Sequence, residues 1–160
     1  MDLVEFRELF AESMRVWIDW DRLALSDATV GLQVISQREQ HGDLLTVWYM
    51  TADRTPGDWR DGQAVPMTVA EAASTPTAWP PERRERLKTL AHSFGGSGGQ
   101  LVLAVPAYRV DDRQLLLDGS HRTVAAFSSG VSVRILVLSI DGPMDPLVLP
   151  DLEKWAQRLG

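Results

Sequence analysis

Apolar residues recur at three- and four-residue steps through Leu3, Phe6, Leu9, Phe10, Met14 and Trp17. That stripe predicts an amphipathic helix over residues 3–18, with Glu5, Glu8, Glu12 and Arg15 largely on the other side. Residues 29–36 and 44–51 are rich in β-branched and aromatic side chains and read as two strands. The polar link 37–43 between them predicts a hairpin. Pro56, Pro66, Pro76, Pro80 and Pro81 then interrupt any long element, so residues 52–81 read as a connection. Within it, Thr68 followed by Glu71 has the spacing of a capping box and predicts one short helix. A connection of this length serves as a lid or a loop, and Trp59 and Trp79 are placed either to cover a ligand or to pin the segment to the core.

Pro81 opens a second helix over 82–94, with Leu87, Leu90, Ala91 and Phe94 as its apolar stripe. The glycine-rich run 95–99 reads as a link into a strand. It lacks the Gly-Lys-Ser/Thr ending of a phosphate-binding loop. The last third alternates cleanly. A strand starts at Leu101 and runs past Pro106 to Val110. Residues 111–113 turn, and 114–117 form a second short strand. Asp118-Gly119-Ser120 bends into a helix over 121–129, which Gly130 closes. A strand follows over 132–140. Pro143, Pro146 and Pro150 mark an extended crossing, and Asp151 is placed to cap a final helix to Arg158. Helices and strands thus alternate irregularly. The expected fold is α/β (α+β): one domain over 1–160 with a small mixed sheet and packed helices.

Composition narrows the chemistry. The 160 residues contain no cysteine, which removes disulfides, thiolate metal sites and cysteine nucleophiles. The net charge of −6 argues against a nucleic-acid partner, which needs a concentrated positive field. It leaves room for a small phosphate ligand held by a few bases. Of the 16 bases all but Lys88 and Lys154 are arginine, the better fork for phosphate or carboxylate. No apolar run approaches the ~20 residues that span a bilayer. The first residues are acidic where a signal peptide is basic. A cytoplasmic protein with no membrane partner is expected. His41, His92 and His121 have no metal-ligand spacing, so no metal site is expected from side chains.

One segment carries chemistry. In Leu115-Leu116-Leu117-Asp118-Gly119-Ser120-His121-Arg122-Thr123, a strand, a glycine bend and a helix start follow one another. The first turn of a helix has N–H groups without internal partners and a partial positive charge, which together attract anions. Gly119 allows close approach of the backbone to a ligand. Ser120 is placed either to cap the helix or to offer its hydroxyl. His121 and Arg122 add donors at the same end. Asp118 is placed to orient Arg122, bind a metal or accept a proton. Side chains adjacent on one turn diverge, so Asp118, Ser120 and His121 do not make a relay by themselves.

The order strand, Asp-Gly-Ser-His-Arg, helix, Gly130, strand resembles the signature of the ParB/sulfiredoxin superfamily. In its Asp-Gly-x-His-Arg branch, which includes free-serine kinases, that helix start binds nucleotide phosphates. The resemblance covers roughly residues 82–140. It implies a ParB/sulfiredoxin-like core there, with 1–51 as an N-terminal helix–hairpin elaboration, 52–81 as a connection and 141–160 as an extension. It implies a nucleotide-dependent phosphotransferase acting on a small polar metabolite, with ATP or ADP and Mg²⁺. Gly119, Ser120, His121, Arg122 and Thr123 would hold the phosphates. Asp118, Ser120 and His121 are the catalytic candidates, and Asp53, Asp58 or Asp61 are further candidates for the base. Ser120 stands where sulfiredoxins carry a reactive cysteine, which removes sulfinic-acid reduction. Non-catalytic binding of a phosphate ligand or partner, and nucleotide-independent chemistry on the same anion site, are the alternatives. DNA binding or nuclease activity ranks below them.

Overall fold

The computed structural model describes residues 1–96 and 98–160. Seven strands form one mixed sheet. They are β1 (Thr29–Ile35), β2 (Leu45–Met50), β3 (Pro56–Gly57), β4 (Val65–Thr68), β5 (Leu101–Val110), β6 (Arg113–Leu116) and β7 (Val133–Asp141). The path runs β1-β7-β5-β6-β2-β3, with β4 also paired to β2. The β5–β7 and β2–β6 pairs are parallel and the others antiparallel. Seven α-helices flank the sheet among the described residues: α1 (Leu3–Phe10), α2 (Trp20–Ala24), α3 (Arg38–Gly42), α4 (Val69–Ser74), α5 (Pro81–Gly95), α6 (Ser120–Ser129) and α7 (Asp151–Leu159). None is long and apolar enough to cross a membrane.

Period-two alternation along the strands gives the sheet two apolar faces. Leu103, Val105, Ala107 and Leu116 point into a cluster with Trp48, Trp79 and Val124 of α6. Tyr108, Val110, Leu115 and Leu117 point the other way, to Phe6, Leu23, Leu152 and Trp155. Burying a side chain of this size contributes roughly 1.5–3 kcal/mol.

The two strands expected as a hairpin do not pair. β1 crosses to β7, with Thr29 opposite Asp141 and Ile35 opposite Ile135, while β2 sits beside β6 and β4. The link between them is α3, whose buried His41 donates from Nε2 to the Thr123 carbonyl at 2.8 Å. Arg38 stacks on Phe127 at 3.8 Å and donates to its carbonyl. These long-range contacts override the local hairpin pattern. Within residues 1–51, β1 and β2 are therefore strands of the one sheet.

The helix expected over 3–18 stops at Phe10, and Asp19 caps a separate α2. The connection 52–81 contributes β3 and β4 as well as α4, where Thr68 and Glu71 form the expected capping box. Trp79 is buried and donates to the Ala72 carbonyl at 2.9 Å, pinning this segment to the core. The link 95–99 contains Ser97, which lies outside the described residues. Gly130 ends α6 in the left-handed region, at φ 71°.

Asp151 does not cap α7. Pro150 holds that position, and the buried Asp151 carboxylate instead accepts the Tyr49 hydroxyl at 2.5 Å. Trp155 Nε1 donates to the Thr46 carbonyl and Arg158 pairs with Glu71 at 2.7 Å. These bonds clamp α7 to β2 and α4. Burial pushes the Asp151 carboxyl above its ordinary range, and the Tyr49 hydrogen bond opposes that push. Removing the hydroxyl leaves a buried carboxylate without that donor. Tyr49→Phe is expected to cost about 1–3 kcal/mol in urea unfolding, while Phe in place of exposed residues elsewhere costs little. An unchanged unfolding midpoint would contradict this account of the clamp.

Candidate functional site

Strand β6 ends at Leu116, and the Leu117 N–H still reaches the Pro106 carbonyl of β5 at 2.9 Å. The chain then reverses at Gly119, where φ is +83°. A Cβ there would stand 2.8 Å from Val105 Cγ1 and 3.0 Å from Arg122 Nη2. Both the backbone conformation and the space require glycine. Gly119 is itself the N-cap of α6 and no side chain caps the helix, so Ser120 is not the cap but the first helical residue. The backbone N–H groups of Ser120, His121 and Arg122 have no i−4 acceptor within the helix.

The structure sorts the candidate side chains. Thr123 is buried and its hydroxyl donates back to the Gly119 and Ser120 carbonyls at 3.0 and 3.1 Å. It braces the turn from inside. Ser120 is also buried. His121, Arg122 and Asp118 are partly exposed at the mouth of the turn. Arg122 lies back along its own helix, 4.0 Å from the Asp118 carboxylate, and reaches the Ala104 carbonyl at 3.5 Å. That carbonyl belongs to the part of β5 that extends past the end of β6.

Helix α5 packs along α6 and brings two further cations. Arg83 lies over Trp48 and Trp79, 4.3 and 4.8 Å from the ring centroids. Neither Arg83 nor Arg86 enters an ion pair among the described residues. Burial holds the Arg83 guanidinium below its ordinary pKa. The His121 ring meets Trp48 edge-on at 4.9 Å. Burial, then repulsion from Arg86 and Arg83, brings its pKa down to about 4, against the opposing pull of Asp118. The imidazole is therefore neutral at pH 7, able to donate from one nitrogen and accept at the other. Arg83 and Arg86 act on the His121 ring, Arg122 lies beside it in sequence, and all three neighbour the uncapped start of α6.

Arg83, Arg86 and Trp48 were not among the residues singled out from sequence. A signal was present: Arg83, Arg84 and Arg86 occupy the first turns of α5, where the helix dipole disfavours cations. The acids considered upstream are engaged elsewhere. Asp53 accepts the Thr51 hydroxyl, Asp58 pairs with Arg60 at 2.7 Å, and Asp61 accepts the Gln63 N–H at 2.9 Å. These bonds do not tie them to α6. At the opposite end of β6, a polar groove of about 300 Å³ is lined by Gln33, Asp112, Arg113 and Gln114. Its side chains largely satisfy one another, Gln114 donating to Gln33 at 2.9 Å and Arg113 to the Asp43 carbonyl at 2.8 Å.

Comparison with protein-family models, curated proteins and solved structures finds no match. Function has to be argued from the site itself.

Two outcomes follow from this geometry. Gly119→Ala is expected to destabilise the fold by at least ~1–3 kcal/mol, because φ stays positive and Val105 has to move; unfolding at the parent midpoint would contradict it. The His121 imidazole, followed by NMR, is expected to titrate near 4 instead of 6.5. Its folded pKa is depressed, so the unfolded chain takes up the proton first as pH falls. Stability is then lost as pH drops from about 6.5 towards 4, and His121→Gln removes that part of the loss. A free-state midpoint near 6.5 would contradict the assigned environment.

Proposed function

We propose that this chain is a nucleotide-dependent phosphotransferase of ParB/sulfiredoxin type, acting on a small polar metabolite. The observation that carries the reading is the convergence of unpaired Arg83 and Arg86 with Arg122 on the uncapped start of α6. Arg83 is partly desolvated without a carboxylate partner, a cost that a polyanion offsets. Arg offers planar, two-pronged donation to phosphate oxygens. The resemblance of Asp-Gly-Ser-His-Arg to the superfamily's phosphate-binding start supports the same end of the same helix.

The residues fit the phosphates of ATP or ADP. The Ser120, His121 and Arg122 N–H groups and the Arg83, Arg86 and Arg122 guanidinium groups are the donors. Mg²⁺, when bound with the nucleotide, would supply charge neutralisation between phosphates. Asp118 is the acid just before the start of α6 and is assigned the substrate hydroxyl proton. His121 is neutral at pH 7 and adds a hydrogen bond without adding charge. Phosphoryl transfer asks for positioning and electrostatic stabilisation more than covalent chemistry, which suits this set. A second reading, binding without turnover, is favoured by one observation: the Asp118 carboxylate faces the Arg122 guanidinium at 4.0 Å, a role in orienting Arg122 that needs no proton transfer.

Thermal shift with ATP and with ADP, each with and without Mg²⁺, tests the binding. A ligand at a hundred times its Kd stabilises by about 2.7 kcal/mol. Arg83→Ala, Arg122→Ala and His121→Ala are each expected to weaken binding, the arginine variants about tenfold or more. Equal shifts in parent and variants would overturn the assignment. Consumption of ATP with a polar acceptor, lost in Asp118→Asn while binding persists, separates transfer from binding alone.

A further inference from the structure

A buried hydroxyl normally has a hydrogen-bond partner, because taking it out of water without one is costly. Thr46, Thr68, Thr123, Ser139, Tyr49 and Tyr108 are buried, and each hydroxyl is bonded within the chain. Ser120 is the exception. The residue is only 7% exposed, yet its hydroxyl is bonded to no described residue and does not cap α6.

The position of that oxygen follows by elimination. Among the described residues, no enclosed side-chain oxygen or nitrogen lacks a hydrogen bond. The Ser120 oxygen makes none, so it is not enclosed. The residue is covered while its hydroxyl keeps access to solvent. Ser120 is the first residue of α6, and Asp118, His121 and Arg122 around it in sequence are themselves partly exposed. The hydroxyl therefore opens at the helix start.

We propose that the Ser120 hydroxyl is a direct ligand contact, donating its hydrogen to an oxygen of a phosphate group seated on the start of α6. This rests on the phosphate reading of the site and adds a contact to it. The local field sets the chemistry of the guest. Arg122 and the helix start are positive, Arg83 and Arg86 act on the neighbouring His121, and Asp118 is the one acid that faces Arg122. An anionic oxygen accepts and does not donate, so the rotatable hydroxyl supplies the proton of the bond. Hydrogen bonds of this charge-assisted kind are short and strong. A hydroxyl reserved for a guest contributes nothing to folding, which gives the role a signature opposite to that of a structural hydroxyl.

Urea unfolding and titration calorimetry read the two sides of that signature. Ser120→Ala is expected to unfold at or above the parent midpoint. Thr123→Val, which removes a hydroxyl bonded within the chain, is expected to unfold below it. Ser120→Ala is also expected to weaken both ATP with Mg²⁺ and inorganic pyrophosphate about tenfold or more. Pyrophosphate lacks the nucleoside, so its parallel loss puts the contact on phosphate; loss with ATP alone overturns the proposal. The chain has no cysteine, so Ser120→Cys carries a single thiol. A small methanethiosulfonate reagent is expected to modify it in the folded protein, and pyrophosphate to slow that modification. A thiol that reacts only on unfolding, or at the same rate with pyrophosphate present, overturns the proposal. So does a lowered midpoint for Ser120→Ala, which would return the hydroxyl to the fold. Parent affinity for both probes in Ser120→Ala, alongside weakened binding in Arg122→Ala, overturns this contact and leaves the phosphate site standing. A parent that binds neither probe overturns both.

Discussion

The left-handed turn at Gly119 is the constraint from which the site's geometry follows. It lets α6 begin three residues after β6 ends, while Val105 packs where a side chain would otherwise sit. The helix start is thereby held against the exposed end of β5, with Arg122 reaching the Ala104 carbonyl. Thr123 braces the turn from beneath through the Gly119 carbonyl. His41, on an element far away in sequence, holds the Thr123 carbonyl from the next turn. The direction in which three unpartnered N–H groups point is thus fixed by packing, before any ligand arrives.

Electrostatics then gives the turn its character. The protein as a whole is acidic, yet Arg83, Arg86 and Arg122 gather at one place. Two aromatic faces hold Arg83 there, and indole is the best of the aromatic partners for a cation. This arrangement keeps the charge without neutralising it, as a carboxylate would. The neighbouring imidazole gives up its own charge in response. Sites that gather perturbed groups in this way are more often functional than structural, since nothing in folding alone rewards repulsion.

Much of this was readable from the chain, and the failures have a common physical cause. Elements set by local chemistry appear where the sequence places them: the Thr68–Glu71 box, the strand through Pro106, the Asp-Gly bend and the Gly130 stop. Trp79 pins its segment as one of the two expected readings had it. Elements set by distant partners do not. The hairpin expected from 29–36 and 44–51 fails because β1 finds β7 and α3 finds α6, contacts of about a hundred residues in span. Asp151 looks like a cap from its neighbours and becomes a buried acceptor only because Tyr49 lies opposite. In the same way, the helix start of the candidate site was visible in the Asp-Gly-Ser-His-Arg string. The contribution of α5 was hidden because arginines on an outwardly charged helix look like solvated surface until the helix is docked.

The pairing of β1 with β7 has a consequence for how the molecule is made. Residue 29 meets residue 141, so on the ribosome β1 waits without β7 until about 110 further residues have been synthesised. At ordinary elongation rates of roughly 5–20 residues per second, that wait lasts on the order of ten seconds. Contacts this remote also slow spontaneous assembly, because the loop must close before it is rewarded. The nascent chain therefore passes through an interval in which β1 is made and its native partner is not.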